Sequence, residues 1–176
     1  MKRTQSILAM TILLATMSCM TLPALAEDND PGQSIITGTI DSEEMRWQLQ
    51  TDQRVPSAVF TSLATGTHRF HINAYSNERH VRKDSIELEL LITDGEARSA
   101  ELLYFPFPRS HPRFSFGSNH GTGTISIDSL TIESGQARIS ARFEGELYYH
   151  QSVNTSPIPH RTRAASLQFD VTAVRE

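Results

Sequence analysis

This chain contains seven histidines, the residue type with the widest range of possible chemistry here. His68, His71 and His80 suggest a metal site, because neutral imidazoles bind zinc and copper. His68 and His71, however, fall in a segment with strand periodicity, where positions i and i+3 point to opposite faces. Most other histidines fall in predicted loops. We therefore predict no metal site and no cofactor, and keep a histidine-based metal-binding protein as one alternative function.

Two other groups contain residue types used by hydrolases. The segment 117–121 places Ser118 near His120, but it lacks the Gly-x-Ser-x-Gly pattern and the strand–turn–helix context of a nucleophile elbow. Glu144 and Glu146 form an acidic pair, yet they alternate with arginines, as on a solvated strand face. No phosphate loop or dinucleotide fingerprint occurs. The sequence therefore predicts no catalytic residue and no enzymatic activity.

Three short basic segments stand out because the chain as a whole is acidic. They fall in predicted loops at residues 76–84, 105–113 and 150–163, and loops often carry binding residues. Loops that met at one end of the fold would hold an anionic group, since arginine pairs with carboxylate or phosphate. The alternative is that these cations offset nearby acidic residues. The predicted ligand-binding residues are Arg79, Arg82, Lys83, Arg109, Arg113, Arg161 and Arg163.

The aromatic residues admit two interpretations. Trp47 alternates with Leu49, and four phenylalanines surround the proline-rich segment 105–113. Exposed aromatic side chains would suit sugar stacking, whereas buried ones would belong to an ordinary core. We predict that they belong to the core.

Alternation of apolar and polar residues is the main structural signal. In residues 137–147, Ala137, Ile139, Ala141, Phe143 and Leu147 share one face and polar residues share the other. Residues 86–92 and 167–173 repeat the pattern, which is typical of strands with one buried face. Further strands are predicted at about 35–41, 45–51, 57–62, 67–75, 97–105, 113–117 and 122–132.

A change of phase interrupts the last of these strands. Ile125 and Ile127 are in one register and Leu130 is in the other, so we predict a bulge at Asp128 and Ser129. Residues 133–136 then predict a hairpin turn.

The number and spacing of these strands predict the fold class. No helical window exceeds two turns, and nine or ten short strands indicate an all-β, single-domain antiparallel β-sandwich over residues 35–176. A lipocalin-like β-barrel is the alternative, because both architectures bury one face of each strand.

The first 26 residues have the pattern of a signal peptide. Lys2 and Arg3 precede an apolar run that Pro23 ends, and Ala24-Leu25-Ala26 supplies the small residues before the predicted cleavage point. We expect cleavage after Ala26, a mobile lead-in at 27–34, and a periplasmic or secreted protein. The alternative is a lipoprotein anchored at Cys19. No second apolar stretch occurs, so no transmembrane segment is predicted in the mature chain.

Composition and charge exclude several classes of protein. The chain has 176 residues, of which 38% are hydrophobic and 20% charged, unlike disordered, collagen-like or multi-span membrane proteins. Loss of the leader, which carries Lys2 and Arg3 but no acidic residue, would take the net charge from −4 to −6. That charge argues against nucleic-acid binding. We expect the partner to be an anionic envelope component or another envelope protein.

The order of several strands resembles a known group of proteins. The segments are Thr37-Gly38-Thr39-Ile40, residues 121–127, residues 139–147 and residues 167–171. They resemble small secreted or periplasmic bacterial β-sandwich proteins of uncharacterised function. The resemblance implies an exported β-sandwich. The predicted signal peptide, the alternating strands and the absence of a catalytic set together lead us to expect a non-enzymatic binding or accessory module of the cell envelope.

A second similarity implies a different function. Phe105-Pro106, residues 112–118 and residues 130–132 are similar to YceI-like, lipocalin-shaped periplasmic proteins. That similarity implies a periplasmic carrier of an apolar, isoprenoid-like ligand. The pocket would then be lined by Ile125, Ile139, Phe143 and Phe169.

Overall fold

The computed structural model describes residues 34–50, 56–117 and 120–176. These residues belong to one compact unit. The predicted signal peptide, the Cys19 anchor and most of the lead-in lie outside the described residues, so they stay predictions.

The described chain contains ten β-strands and no helix, which confirms the predicted all-β class and the strand number. The strands are β1 Ile35–Ile40, β2 Glu43–Gln48, β3 Ala58–Ala64, β4 Thr67–Ala74, β5 Ser85–Thr93, β6 Glu96–Phe105, β7 Arg113–Phe116, β8 Thr122–Glu133, β9 Gln136–His150 and β10 Ile158–Arg175.

The strands join in one mixed sheet with the order β2-β1-β10-β3-β4-β5-β6-β7-β9-β8, and β9 also pairs with β10. The long antiparallel pairings form two groups, β2-β1-β10-β9-β8 and β3-β4-β5-β6. Short β7 pairs with both β6 and β9 and joins the groups on one side. A two-residue parallel pairing of β10 with β3 joins them on the other side. This arrangement is consistent with a β-sandwich.

The core lies on the predicted face of each long strand. All five apolar residues predicted to share one face of β9 are buried, and the predicted apolar faces of β5 and β10 are buried too. Both strand groups contribute to a single cluster of buried side chains. Trp47 is also fully buried, which confirms its assignment to the core, whereas Phe107 is exposed.

The predicted irregularity in β8 is confirmed. The β8–β9 register shifts between Ile127 and Ser129, which leaves Asp128 outside the ladder. The shift lets Leu130 continue the half-buried face that Ile125 and Ile127 begin. Ser134 and Gly135 have left-handed backbone angles of 50° and 82°, so the predicted hairpin is confirmed as well.

Two glycines let β8 and β9 approach closely. Gly123 and Gly145 face each other in the register, and the ring of Phe143 lies over both. A Cβ atom at Gly145 would collide with the carbonyl oxygen of Thr122. The sequence therefore needs glycine at position 145 for close approach of two backbones.

Replacing Gly145 by alanine is expected to destabilise the protein. We expect Gly145→Ala to lower the free energy of unfolding by about 1–3 kcal/mol, because a collision with backbone atoms forces the strands apart. Urea denaturation measures the effect, with Ser126→Ala on the exposed face of β8 as the control. Equal stability of the two variants would contradict the tight β8–β9 contact.

Candidate functional site

The three basic segments lie at one end of the sheet. Each strand in the series β4, β5, β6, β7, β9, β10 pairs in antiparallel fashion with the next. Strands β4, β6 and β9 therefore end on the same side, and the connections that follow them lie there together. The β1–β2 turn lies there as well, since the Asp41 N–H donates to the Ala164 carbonyl at 2.8 Å. We call residues 75–84, 106–113 and 151–163 the basic end.

One of the predicted loops is shorter than expected. Arg113 is the first residue of β7, in agreement with the strand predicted at 113–117, but β10 already begins at Ile158, so Arg161 and Arg163 lie in a strand. The prediction that residues 150–163 form one loop was wrong because two prolines suggested a break. The irregular β9–β10 register between Ile158 and Thr162 accommodates the second proline within the strand.

Two predicted binding residues contact acidic neighbours. Arg82 lies over the Phe105 ring, with its guanidinium carbon 4.3 Å from the ring centroid, and its Nη2 is 3.5 Å from a Glu87 oxygen. The Lys83 Nζ is 3.7 Å from an Asp84 oxygen. These two cations therefore have part of their charge offset locally.

The other arginines have fewer partners. Among the described residues, Arg79, Arg109, Arg113 and Arg161 have no carboxylate within ion-pair distance. Arg79, Arg109 and Arg161 are exposed. The basic end therefore presents charge that no ion pair within the described chain neutralises.

A stack of aromatic rings and arginines runs through the basic end. The Arg161 guanidinium lies 3.8 Å from the Tyr149 ring centroid. The Tyr149 and Phe114 rings pack edge-on with their centroids 5.4 Å apart. The guanidinium carbon of Arg163 lies 4.9 Å from the Phe114 ring centroid. Arg163 also pairs with Asp41 at 3.4 Å, while its Nε atom is buried without a partner. The ring faces hold these guanidinium groups by cation–π attraction.

Asp84 fixes the first basic segment to the core. The Tyr104 hydroxyl donates to an Asp84 carboxylate oxygen at 2.9 Å, and the Trp47 indole N–H donates to the Asp84 carbonyl at 2.7 Å. Burial, followed by the hydrogen bond to Asp84, raises the pKa of Tyr104. The phenol therefore stays neutral and keeps its donor. This segment is held by a tyrosine and a tryptophan that both lie in the core.

Polar residues lie on, or close to, the side of β7 that faces away from the core. Phe114 and Phe116 face the core, so Arg113 and Ser115 face the other way, and Arg113 pairs in register with His150. The His120 and His150 rings pack edge-on at 5.1 Å. We define the corner cluster as the following set: His111, Arg113, Ser115, His120 and His150.

Each member of the corner cluster has a buried polar atom without a hydrogen-bond partner. The atoms are Nε2 of the three histidines, Nε of Arg113 and Oγ of Ser115. Ser115 is fully buried and His150 is 8% exposed. An unsatisfied buried polar group costs roughly 1–3 kcal/mol, so such a concentration needs a physical reason.

The three imidazoles of the cluster share a lowered pKa. Burial is the largest cause for His111, His120 and His150, and the charge of Arg113 lowers each pKa further. Glu101 opposes the shift at His120. The surroundings therefore favour the neutral form of each of these imidazoles in the folded protein.

The remaining histidines do not form a metal site among the described residues. The His68 and Phe60 ring centroids are 6.4 Å apart, and His68 hydrogen-bonds to the Ser62 hydroxyl. His71 hydrogen-bonds to the Asn73 side chain on the other face of β4. The prediction that His68 and His71 point to opposite faces is confirmed. In the described parts of the chain, no three His, Cys, Asp or Glu residues are placed to hold a metal ion.

The hydrolase-like groups give no catalytic arrangement in the part of the chain that can be described. Ser118 lies outside the described residues. Glu144 accepts a hydrogen bond from the Ser166 hydroxyl at 2.6 Å, and Glu146 accepts one from Thr122 at 3.5 Å. Both glutamates are exposed, as on the solvated strand face that the sequence predicts.

Two clefts lie near β6. One of about 370 Å³ is lined by Arg69, Glu89, Glu101 and His120, among others, and carries both signs of charge. The second, of about 300 Å³, is lined partly by Ile125. Of the four residues suggested for an apolar pocket, the other three are buried in the core: Ile139, Phe143 and Phe169. The carrier function stays a prediction.

The corner cluster is not predictable from local sequence patterns. Those patterns indicate loops for most of these histidines, yet His150 ends β9 and is buried. The only local signal is the position of His150 directly after two tyrosines of a strand. The cluster depends on the pairing of β7 with β9, and no local pattern specifies that pairing.

No family model, curated protein or solved structure matches this chain. The two resemblances therefore stay predictions. The described residues include no helix that is both long and apolar enough to cross a membrane.

Proposed function

We propose that this protein is an exported, non-enzymatic binding module of the cell envelope and that its basic end holds an anionic envelope component. The ligand would carry phosphate or carboxylate groups. Export rests on the predicted signal peptide, and the binding surface rests on the geometry of the basic end.

The main support for this proposal is a set of arginines without ion-pair partners at one end of an acidic protein. Arg79, Arg109 and Arg161 are exposed and have no ion-pair partner in the described chain. They come from three different connections and strands that the topology brings to the same end. A local positive surface on a chain of net charge −4 attracts anionic ligands while the rest of the surface repels them.

The contacts of Arg161 favour a fixed charge over a mobile solvated one. Arg161 rests on Tyr149, and Tyr149 packs against the buried Phe114. A guanidinium that stacks on a ring keeps its N–H groups free for a carboxylate or phosphate. Since part of the ordering has already occurred in the free protein, binding loses less conformational entropy.

A triple substitution tests the proposal. We expect Arg79→Gln, Arg109→Gln and Arg161→Gln together to weaken binding of polyphosphate or polygalacturonate about tenfold or more at low salt, because rim charges attract anions through a screened field. Isothermal titration calorimetry on the full chain measures the affinity for each probe. Polyphosphate carries phosphate groups and polygalacturonate carries carboxylate groups, so their relative affinities indicate which group the site prefers.

The matched control removes the same charge elsewhere. Arg98, Arg138 and Arg175 lie near the opposite end of β6, β9 and β10. Their triple glutamine variant should bind within about twofold of the native protein, since distant charges are screened over about 10 Å. Equal loss in both triple variants would mean that net charge alone governs binding and would overturn the proposal.

A further inference from the structure

The corner cluster is rich in hydrogen-bond donors. The Arg113 guanidinium only donates, the Ser115 hydroxyl donates one hydrogen, and each imidazole donates one when neutral and two when protonated. No carboxylate of the described chain lies within ion-pair distance of Arg113. A neutral imidazole and the serine hydroxyl can also accept a hydrogen bond, but no member of the cluster carries a negative charge.

Two polar atoms of the corner cluster are deeply buried and have no hydrogen-bond partner. Ser115 has no exposed surface and His150 is more than nine-tenths buried, yet the Ser115 Oγ and the His150 Nε2 have no partner. Polar groups this deep are almost always satisfied by protein, water or a ligand. Both groups belong to adjacent strands and lie on the same side of the sheet as Arg113.

We propose that the corner cluster is a binding site for an oxyanion, a sulfate, phosphate or carboxylate group that accepts hydrogen bonds from Arg113, Ser115 and His150. An oxyanion supplies several negatively charged acceptor oxygens, so it satisfies donors from several residues at once. The inference rests on the proposed function only in that Arg113 also belongs to the basic end.

Binding at this site is coupled to proton uptake. Burial lowers the pKa of all three imidazoles, the positive charge of Arg113 lowers each pKa further, and Arg82 adds to the effect at His111. Glu101 favours the imidazolium form at His120, and a backbone hydrogen bond to Thr155 favours it at His150. The negative charge of an oxyanion adds to these favourable effects, so the site binds more tightly as the pH falls.

A cation does not fit this site. Three imidazoles could ligate a metal, but the guanidinium of Arg113 would repel it at short distance. The described residues also include no set of three ligands with suitable placement. The donor set therefore selects an anion over a metal ion.

Inorganic sulfate is the suitable probe because its charge does not change between pH 5 and pH 8. Calorimetry on the full chain, at constant ionic strength set with sodium chloride, should show saturable binding of one sulfate. We expect about tenfold tighter binding at pH 5.5 than at pH 7.5, together with proton uptake seen as buffer-dependent heat, because binding and protonation are linked. Binding that neither saturates nor depends on pH would overturn the inference.

Conservative variants locate the binding. Ser115→Ala and His150→Gln should each weaken sulfate binding about tenfold, and His150→Gln should reduce its pH dependence. Ser126→Ala and His71→Gln are matched controls on exposed or outer faces and should bind as the native protein does. Thermal unfolding checks that each variant is folded. Unchanged affinity in folded Ser115→Ala and His150→Gln variants would overturn the inference.

The two proposals can fail separately. If the triple variant of Arg79, Arg109 and Arg161 loses polyanion binding while the sulfate site is absent, the proposed function holds and the oxyanion site is wrong. If sulfate binds at the cluster while the triple variant binds polyanions normally, the oxyanion site holds and the proposed function is wrong. Competition by phosphatidylglycerol vesicles then distinguishes the sources: displaced sulfate supports a lipid headgroup, and retained sulfate supports a free or polymer-borne oxyanion.

Discussion

Replacing Phe143 by alanine should lower the free energy of unfolding by about 3–5 kcal/mol, the range for a large buried aromatic residue. Phe143 has no exposed surface, and its ring packs 4.9 Å from that of Phe116. The ring also covers Gly123 and Gly145, which have no side chains to fill the space that its loss would open. The site is therefore poorly able to collapse around a smaller residue.

Urea denaturation measures this effect, with Phe107→Ala as the control. Phe107 is 49% exposed, so its replacement should change stability by no more than about 0.5 kcal/mol. A cost below about 1 kcal/mol for Phe143→Ala would mean that the apolar face of β9 does not point to the core.

Acidification should destabilise the protein through the corner cluster. The pKa values of His111, His120 and His150 are lowered in the folded state. The unfolded chain therefore binds more protons than the folded chain below the ordinary histidine value of about 6.5. The free energy of unfolding is therefore unaffected by protonation of these histidines above about pH 6.5. It decreases as the pH falls from about 6.5 towards the lowered pKa values of the folded state.

Denaturation in urea at pH 7.5, 6.5 and 5.5 checks the prediction, in chloride buffers that contain no oxyanion. The His120→Gln, His150→Gln double variant should lose less stability across this range than the native protein, because two of the titrating groups are gone. His71→Gln, on the outer face of β4, serves as the control. An unchanged pH dependence in the double variant would show that other groups cause the acid sensitivity.

The strands could be predicted from the sequence because their signal is local. Alternation in residues 137–147 specifies which side of β9 is buried, whatever strand lies beside it. The β8 bulge was also predictable, since Ile127 and Leu130 can share a face only if one residue leaves the ladder. Each inference required only the period of a strand and the polarity of neighbouring residues.

The site depends on contacts between distant residues, so the sequence specified it poorly. The residue types of Arg113 and His150 suggested solvated loops, but their pairing across β7 and β9 places them in a half-buried cluster. The loop predicted at 150–163 was overestimated because Pro159 suggested a chain break, whereas an irregular register absorbs it. Register between strands far apart in sequence is set by the whole core, which local patterns do not encode.

Anion binding at the basic end is tested by titrating the isotope-labelled protein with tripolyphosphate and following the amide and arginine side-chain chemical shifts. We expect saturable shifts confined to the basic end and the adjoining corner cluster, with Arg79, Arg109 and Arg161 among the most affected residues, and little change near Arg98, Arg138 and Arg175. Shifts of equal size at both ends, or none that saturate, would contradict the claim that this end of the sheet binds an anionic ligand.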